Sequence, residues 1–438
     1  MAKRTRAGTT NQQRDRNILL ALAAIMALQM ISFGVIMPIF ARRLGDFGAG
    51  VEALGLMAMA YSITSIAASP FMGSLADRIG RRPLVLGSLA AYVAAFTGYL
   101  LAPSVNAFII IRALAGAMTA GLGPAVMSIA ADIAAADERA RWFGVIGGGS
   151  SVGWIVGPTV GGYLFDQWGY VAPFMAAIVL AVVALIAAIV MVPETLTRKV
   201  EVTANVQPKK KEPAKEIASS RRSSHLRQLW QTVPKPLSTF SILLLISFST
   251  IFAYAFIEPQ LMVYVYDVLD WSSTRFGLAV SGLGLTLVFG QTLLGNLSDK
   301  FGRKLVLIAG ILLSTAMYAT VSATSSFQLI FLAYIVAGMG EALIAPALTA
   351  FYLDISREEH KSRVLGIKNA AGALGGVAGP MLVVVVTRII RPQSVFTIAV
   401  GLLLFVALLA FIVLRDPMKV KSDRAGRLQK STSSQILV

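Results

Sequence analysis

The chain of 438 residues is 56% hydrophobic and 14% charged, with a mean hydropathy of +0.72, which excludes a water-soluble domain with a polar surface. It has no cysteine, so disulfides, thiolate catalysis and cysteine metal sites are excluded as well. The formal net charge of +17 is divided among the connections between apolar stretches instead of forming a patch for nucleic acid.

Apolar windows of about 20 residues, the length a helix needs to cross the hydrocarbon core, recur along nearly the whole chain. Twelve are expected, starting near Ile18, Glu52, Pro83, Asn106, Trp142, Val171, Leu237, Ser273, Leu305, Ser326, Arg363 and Ser394. They predict an all-α membrane protein: an arm over 1–17, a six-helix bundle over 18–192, a linker over 193–236, a second six-helix bundle over 237–414 and a tail over 415–438. The first window follows a polar, basic arm without a small-residue cleavage site, so it is read as a retained span, with the mature chain beginning at or near Met1. The linker carries "PKKKEPAKE" and "SSRRSSH", proline-punctuated and charged, and is expected to be flexible. "HLRQLW" at its end is expected to form a short interfacial helix.

Most of the 39 Lys and Arg residues lie in the termini and the even-numbered connections, among them Arg78, Arg81, Arg82, Arg139, Arg141, Lys300, Arg303, Lys304, Arg357 and Lys361. The opposite side holds Arg42, Arg43, Arg275, Arg388 and Arg391. The positive-inside rule places both termini in the cytoplasm, and the basic excess suits anionic lipid headgroups. Both histidines, His225 and His360, fall in polar connections, which excludes a histidine metal site or triad inside the membrane.

Between the second and third windows stands "GSLADRIGRR", and between the eighth and ninth "GNLSDKFGRK". An offset of 222 residues joins them, carrying Gly73 to Gly295, Asp77 to Asp299, Gly80 to Gly302 and Arg81 to Arg303. The same offset carries Gly116 to Gly338, Pro124 to Pro346, Asp132 to Asp354, Arg141 to Arg363, Gly153 to Gly375 and Pro158 to Pro380, without a gap. Two six-helix halves in parallel orientation follow.

Two six-span halves, each with Gly-x-Leu-x-Asp-x-x-Gly-Arg-Arg/Lys after its second span, resemble the major facilitator superfamily over essentially the whole chain apart from tails and linker. "GWIVGPTVGG", Gly153 to Gly162, is similar to the signature of its drug–proton antiporters, with Gly153, Gly157, Pro158, Gly161 and Gly162. The second half keeps Gly379 and Pro380 but has Val383 and Val384, as in a motif confined to the first half. On physical grounds these glycines let helix backbones approach closely in lipid, and Pro158 removes a backbone donor and kinks its helix. "GGGSSVG" lacks the strand, turn and helix context of a nucleotide site.

The resemblance implies that Asp77 touches the start of span eleven near Arg363 and that Arg81 pairs with Asp132, with Asp299, Arg303 and Asp354 as the mirror cluster. Such a latch, bracketed by Gly73 and Gly80, would stabilise the outward-open state and release as the cytoplasmic side opens. Topology and lipid contact account for the arginines but not for Asp77.

Ionisable groups well inside spans are functional candidates by default: Arg112 in span four, Glu258 in span seven, Glu341 in span ten and Lys368 in span eleven. At a rise of about 1.5 Å per residue, Glu341 lies near the midplane, and Arg112 and Glu258 roughly 10 to 14 Å below the outer end. "RALAGAMTA" resembles the span-four motif whose arginine is implicated in proton coupling, with Ala115 and Met118 departing from it. "FGVIMPIF" in span one has Pro38 and no acidic residue, so Glu258 or Glu341 must carry a coupled proton. A desolvated carboxylate favours its protonated form, so proton and cationic substrate can alternate on it. Packing is the competing role for Glu341, and snorkelling for Glu258 and for Lys368. Met30, Phe33, Met37, Tyr254, Phe256 and Tyr334 could line a pocket for flat lipophilic molecules or simply pack.

The expectation is a monomeric secondary transporter in the cell (plasma or inner) membrane, exporting small amphipathic compounds, lipophilic cations or drugs, in exchange for protons by alternating access. A lipid or metabolite transporter on the same scaffold, or a receptor without transport, is the alternative. No metal-ligand cluster, phosphate loop or nucleophile–base pair supports enzyme chemistry, a cofactor or a metal.

Overall fold

The computed structural model describes residues 2–196, 234–386 and 392–416, with side chains from Gln12 onward. Most of the linker, the interfacial helix expected at 225–230, and the tail beyond Asp416 lie outside the described residues. The described elements are all helical.

In chain order the first half comprises α1 (Ala2–Ile36), a short α2 (Ile39–Asp46), α3 (Val51–Ile79), α4 (Arg81–Leu101), α5 (Val105–Thr119), α6 (Leu122–Ile133), α7 (Arg139–Trp168) and α8 (Val171–Met191). The second comprises α9 (Leu237–Val263), α10 (Ser273–Leu294), a short α11 (Leu297–Phe301), α12 (Arg303–Ala323), α13 (Phe327–Ile355), α14 (Lys361–Val386) and α15 (Pro392–Val413). Each apolar window falls on one of these helices, with α5 and α6 together forming the fourth span. Among the described residues 11 helices are long and apolar enough to cross a membrane. α7 is 30 residues long but is diluted by glycine, and its glycines have another use.

The described residues form two compact units. The first takes in those of Met1–Glu212, Pro259–Gly284 and Pro380–Arg388, and the second those of Pro213–Glu258, Leu285–Gly379 and Ile389–Val438. Helices in lipid gain little from excluding hydrocarbon from one another, so close van der Waals packing must hold them. In the first unit α1 packs on α7 and α8, α3 on α5, and α4 on α8. Leu22, Ile25, Val85, Leu89, Val126, Ile129 and Ile146 interlock with Ala184 and Ala188 in one buried cluster. Gly153, Gly157 and Gly161, one turn apart on α7, set the closest approach: a methyl on Gly157 would stand 2.6 Å from Gly34 Cα, and one on Gly161 would overlap the Val35 carbonyl.

In the second unit α12 packs on α13 and α15, and Gly310 faces Gly340, where a methyl on Gly310 would reach the Gly340 carbonyl at 2.9 Å. Gly379 of α14 lies against α9, 2.7 Å from the Phe256 nitrogen by the same measure. Ser247 and Tyr352 share a hydrogen bond of 3.0 Å in this core.

Candidate functional site

The loop after the second span of each half is built around a glycine that must adopt positive φ, +104° at Gly80 and +94° at Gly302, a region open to glycine at little cost. The turn presents Arg81 and Arg82 at the start of α4. Arg81 is 6% exposed, pairs with Asp132 at the end of α6, and donates from Nη1 to the Ser128 carbonyl at 3.0 Å. In the second unit Arg303 pairs with Asp299 and with Asp354 Oδ2 at 3.2 Å, and donates to Ser298 Oγ at 2.7 Å. Asp77 is exposed on the last turn of α3, and Gly73 is exposed one turn before it.

Sequence reasoning missed a carboxylate at each of these turns. Glu194 accepts from the backbone N–H of Arg81 at 3.2 Å and of Arg82 at 3.1 Å, and from those of Thr195 and Leu196 at 2.9 Å each. It thereby satisfies donors that the first turn of α4 leaves without helical partners. Burial acts to raise the Glu194 pKa, but these four N–H groups stabilise the anion and hold it below the usual glutamate value. Asp416, 222 residues further on, accepts from the Lys304 N–H at 3.4 Å. The repeat offset was the signal that could have found both.

At the other end of the first unit, the antiporter-like stretch of α7 meets the start of α10. A methyl on Gly277 would overlap the Pro158 carbonyl, and one on Gly284 would come 2.9 Å from that of Trp154. Gly162 lies against the Ser273 carbonyl in the same way, and Thr159 Oγ1 donates to Ser281 Oγ at 2.7 Å. Asp166 accepts from the backbone N–H of Ser273 and Thr274 at 3.0 and 2.8 Å and from the Thr274 hydroxyl at 2.6 Å. Arg42 Nη2 donates to the Trp271 carbonyl at 2.7 Å and lies 4.2 Å over the Tyr266 ring. The Tyr266 hydroxyl donates to the Pro38 carbonyl at 2.7 Å. Asp166, Arg42 and Tyr266 were not singled out in the sequence, since an acid before a helix start carries weight only once that helix is known to be adjacent.

Ionisable side chains lie inside the spans of both units. Arg112 of α5 is half-buried under three rings, 4.4 Å from the centroid of Tyr61, 5.2 Å from Phe33 and 5.5 Å from Phe40. The Tyr99 hydroxyl lies within hydrogen-bonding reach of it. Among the described residues no carboxylate pairs with it. In the second unit Glu258 lies in α9 and Glu341 in α13, and Ser314 of α12 lies against the Gly340–Glu341 turn. The repeat places Glu341 where the first unit has Thr119.

Lys368, expected to snorkel, instead donates from Nζ to Thr349 Oγ1 of α13 at 2.7 Å. Met37, Phe256 and Tyr334 are buried at 4%, 1% and 2% exposure and belong to packing, whereas Tyr254 is 42% exposed. Among the described residues no group of three or more His, Cys, Asp or Glu is placed to hold a metal ion.

The sequence model described as Major Facilitator Superfamily matches residues 22–272 and 243–436. The class B tetracycline resistance protein of Escherichia coli is 27% identical over 371 residues, 83% of this chain and 86% of that protein. The multi-drug resistance efflux pump PmrA of Streptococcus pneumoniae is 27% identical over 391 residues, 88% of this chain and 92% of the pump. Among solved structures, a bacterial homologue of the human lysosomal transporter Spinster superposes with a TM-score of 0.70 at 16% identity, covering 91% of this chain and 97% of that one. The human organic anion transporter MFSD10 superposes with a TM-score of 0.62 at 20% identity, covering 90% and 99%.

Proposed function

The chain belongs to the major facilitator superfamily, and from that premise we propose that it exports amphipathic, drug-like small molecules in exchange for protons by alternating access. It is a membrane transporter whose relatives include tetracycline resistance proteins and multidrug efflux pumps. The basic termini and even-numbered connections support a cell-membrane orientation with both ends in the cytoplasm.

The observation that carries the reading is that Glu258 of α9 and Glu341 of α13 are carboxylates inside helices long and apolar enough to cross a membrane. An ionised carboxylate in an apolar setting has to be neutralised by a proton or by a cation on the substrate. One occupant therefore disfavours the other, and the energy of the proton gradient is converted into substrate export. Tyrosine hydroxyls around the carboxylates supply donors to the ionised form and acceptors to the protonated one.

The clusters of Arg81 with Asp132 and of Arg303 with Asp299 and Asp354 act in this reading, with Asp77, as the cytoplasmic latch that must release during the cycle. The α7 glycines Gly153, Gly157, Gly161 and Gly162, with Pro158, give the close helix contact on which the outer side closes. The test is uptake of a fluorescent lipophilic cation by proteoliposomes under an imposed pH gradient. Accumulation that follows the gradient and collapses with a protonophore is expected, and gradient-independent equilibration would overturn proton coupling.

A further inference from the structure

At one end of the first unit, where α1 and α4 begin and α8 ends, lies a recess of about 590 Å³ whose walls include Gln13, Arg14, Asn17, Arg82, Val190 and Met191. Its volume is within the range of about 300–1,000 Å³ common for small-molecule sites. Gln13, Arg14 and Asn17 share one face of α1, because residues three and four apart are neighbours on a helix, and Gln13 Nε2 donates to Asn17 Oδ1 at 3.4 Å. Arg82 is the second residue of α4. Its Nη2 donates to the Ile189 carbonyl at 2.7 Å, which holds the guanidinium against the end of α8, while its buried Nε has no hydrogen-bond partner among the described residues.

The charge of the lining is one-sided. It has two arginines and no carboxylate, and among the described residues neither arginine forms an ion pair. Glu194, next in sequence to the lining, is engaged by the backbone N–H groups of Arg81, Arg82, Thr195 and Leu196. Guanidinium and amide donors without an acid suit an anion and offer nothing to an amine.

The second half shows that this set of side chains is not a by-product of the repeat. The offset of 222 puts Lys304 in the place of Arg82 and Phe411 in that of Ile189, and Lys304 Nζ lies 4.9 Å over the Phe411 ring. Pro236 and Thr239 replace Arg14 and Asn17, and Thr239 is buried. Both halves keep the glycine turn and its carboxylate cap, but only the first carries the anion-facing donors.

The position of the recess points to a ligand from the bilayer. α1, α4 and α8 are each long and apolar enough to cross a membrane, so their shared end falls at the level of lipid headgroups. The wall given by α8 is apolar and faces outward: Val190 is 77% exposed, and Met191 and Ile186 are exposed as well.

We propose that this recess binds a membrane phospholipid of net negative charge, its phosphodiester held by Arg14, Arg82 and Asn17 and an acyl chain lying along Ile186 and Val190. Guanidinium groups match phosphate oxygens in charge and geometry, and a headgroup amine finds no acid here. The lipid braces the ends of three helices. The site goes beyond the export reading and uses no coupled proton.

The experiment follows thermal unfolding of the purified full chain in a nonionic detergent as dioleoylphosphatidylglycerol is added. Dioleoylphosphatidylcholine, with the same acyl chains, and inorganic phosphate are the comparisons. A ligand bound by the native state alone raises the melting temperature with its concentration. A saturable rise with phosphatidylglycerol is expected, half-maximal at a concentration at least about fivefold below that for phosphatidylcholine, and no rise with phosphate at equal concentration. Arg14→Gln, at an exposed position, should raise the half-maximal concentration about fivefold, the scale of one basic side chain at an anionic surface. Arg82→Gln should raise it at least as much. Arg16→Gln, exposed on the same helix but outside the lining, should change it less than about twofold. Equal responses to the two lipids, or none to either, would overturn the proposal. A matching rise with phosphate would assign the recess to a soluble anion instead, and equal losses in Arg14→Gln and Arg16→Gln would reduce the effect to net charge; each contradicts a lipid site. Flux is not the readout, so a failure of proton-coupled export and a failure of lipid binding are read separately.

Discussion

The carboxylate of Glu194 accepts the backbone N–H of Arg82 at 3.1 Å, and 222 residues on Asp416 accepts that of Lys304 at 3.4 Å. The third residue past the sixth span of each half therefore closes the start of the third span. Both carboxylates also lie where a side chain on Gly80 or Gly302 would stand, so the two glycines are needed for the cap as well as for the positive φ.

Glu194→Ala should destabilise the protein by about 1 kcal/mol, the usual worth of a lost N-terminal cap. Its pKa is lowered in the folded protein, so the cap contributes fully above the ordinary glutamate value of about 4.3 and its contribution is lost as pH falls through the lower, folded value. Thermal melts of wild type and variant should differ at pH 7 and converge toward pH 3. A difference that stays constant over this range would show that Glu194 acts through packing and not through its charge.

Gly157→Ala places a methyl 2.6 Å from Gly34 Cα. With backbone on both sides, neither helix can yield by moving a side chain, and overpacking of this kind costs about 1–3 kcal/mol. Gly148→Ala on the same helix, with nothing within 4 Å, is the control and should leave the melting temperature unchanged or raise it slightly.

Asp166 holds the first turn of α10 through two backbone N–H groups and one hydroxyl. Asp166→Ala should raise amide hydrogen exchange at Ser273 and Thr274 at least about tenfold, corresponding to about 1.4 kcal/mol of lost local stability. Protection inside α4 should not change. Thr274→Val, which removes only the hydroxyl, should give a smaller effect at the same amides.

Asp77→Asn tests the latch. Transport should fall sharply while substrate affinity, measured in detergent, stays within about twofold. A parallel loss of binding would place Asp77 among groups that shape the substrate site, contrary to its exposed position at the end of α3.

The architecture was legible because the apolar windows and the 222-residue offset are long-range signals that no local ambiguity can erase. Span starts were read to within a residue or so at Val171, Leu237 and Ser273, the first residues of α8, α9 and α10. Ser326, by contrast, is the N-cap of α13 rather than its first residue. Arg81, Asp132, Arg303 and Asp354 could be named because the repeated motif marks them. Glu194 and Asp416 could not be named from motif, since a lone acid at a span end has many ordinary uses; only the offset between them distinguishes them. Asp166 and Arg42 were hidden for another reason, because their partners lie more than 100 residues away and are brought close only by packing. Lys368 misled because its depth allows snorkelling, and only the adjacent Thr349 hydroxyl gives the ammonium a nearer partner.

The central claim, that proton and substrate compete for a carboxylate, is tested most directly by proton release from purified protein in detergent. A lipophilic cation is added near pH 7 to wild type, Glu341→Gln and Glu258→Gln. The account predicts release from wild type and its loss in one of the two variants, which identifies the exchange group. Cation binding by wild type with no proton released would contradict it.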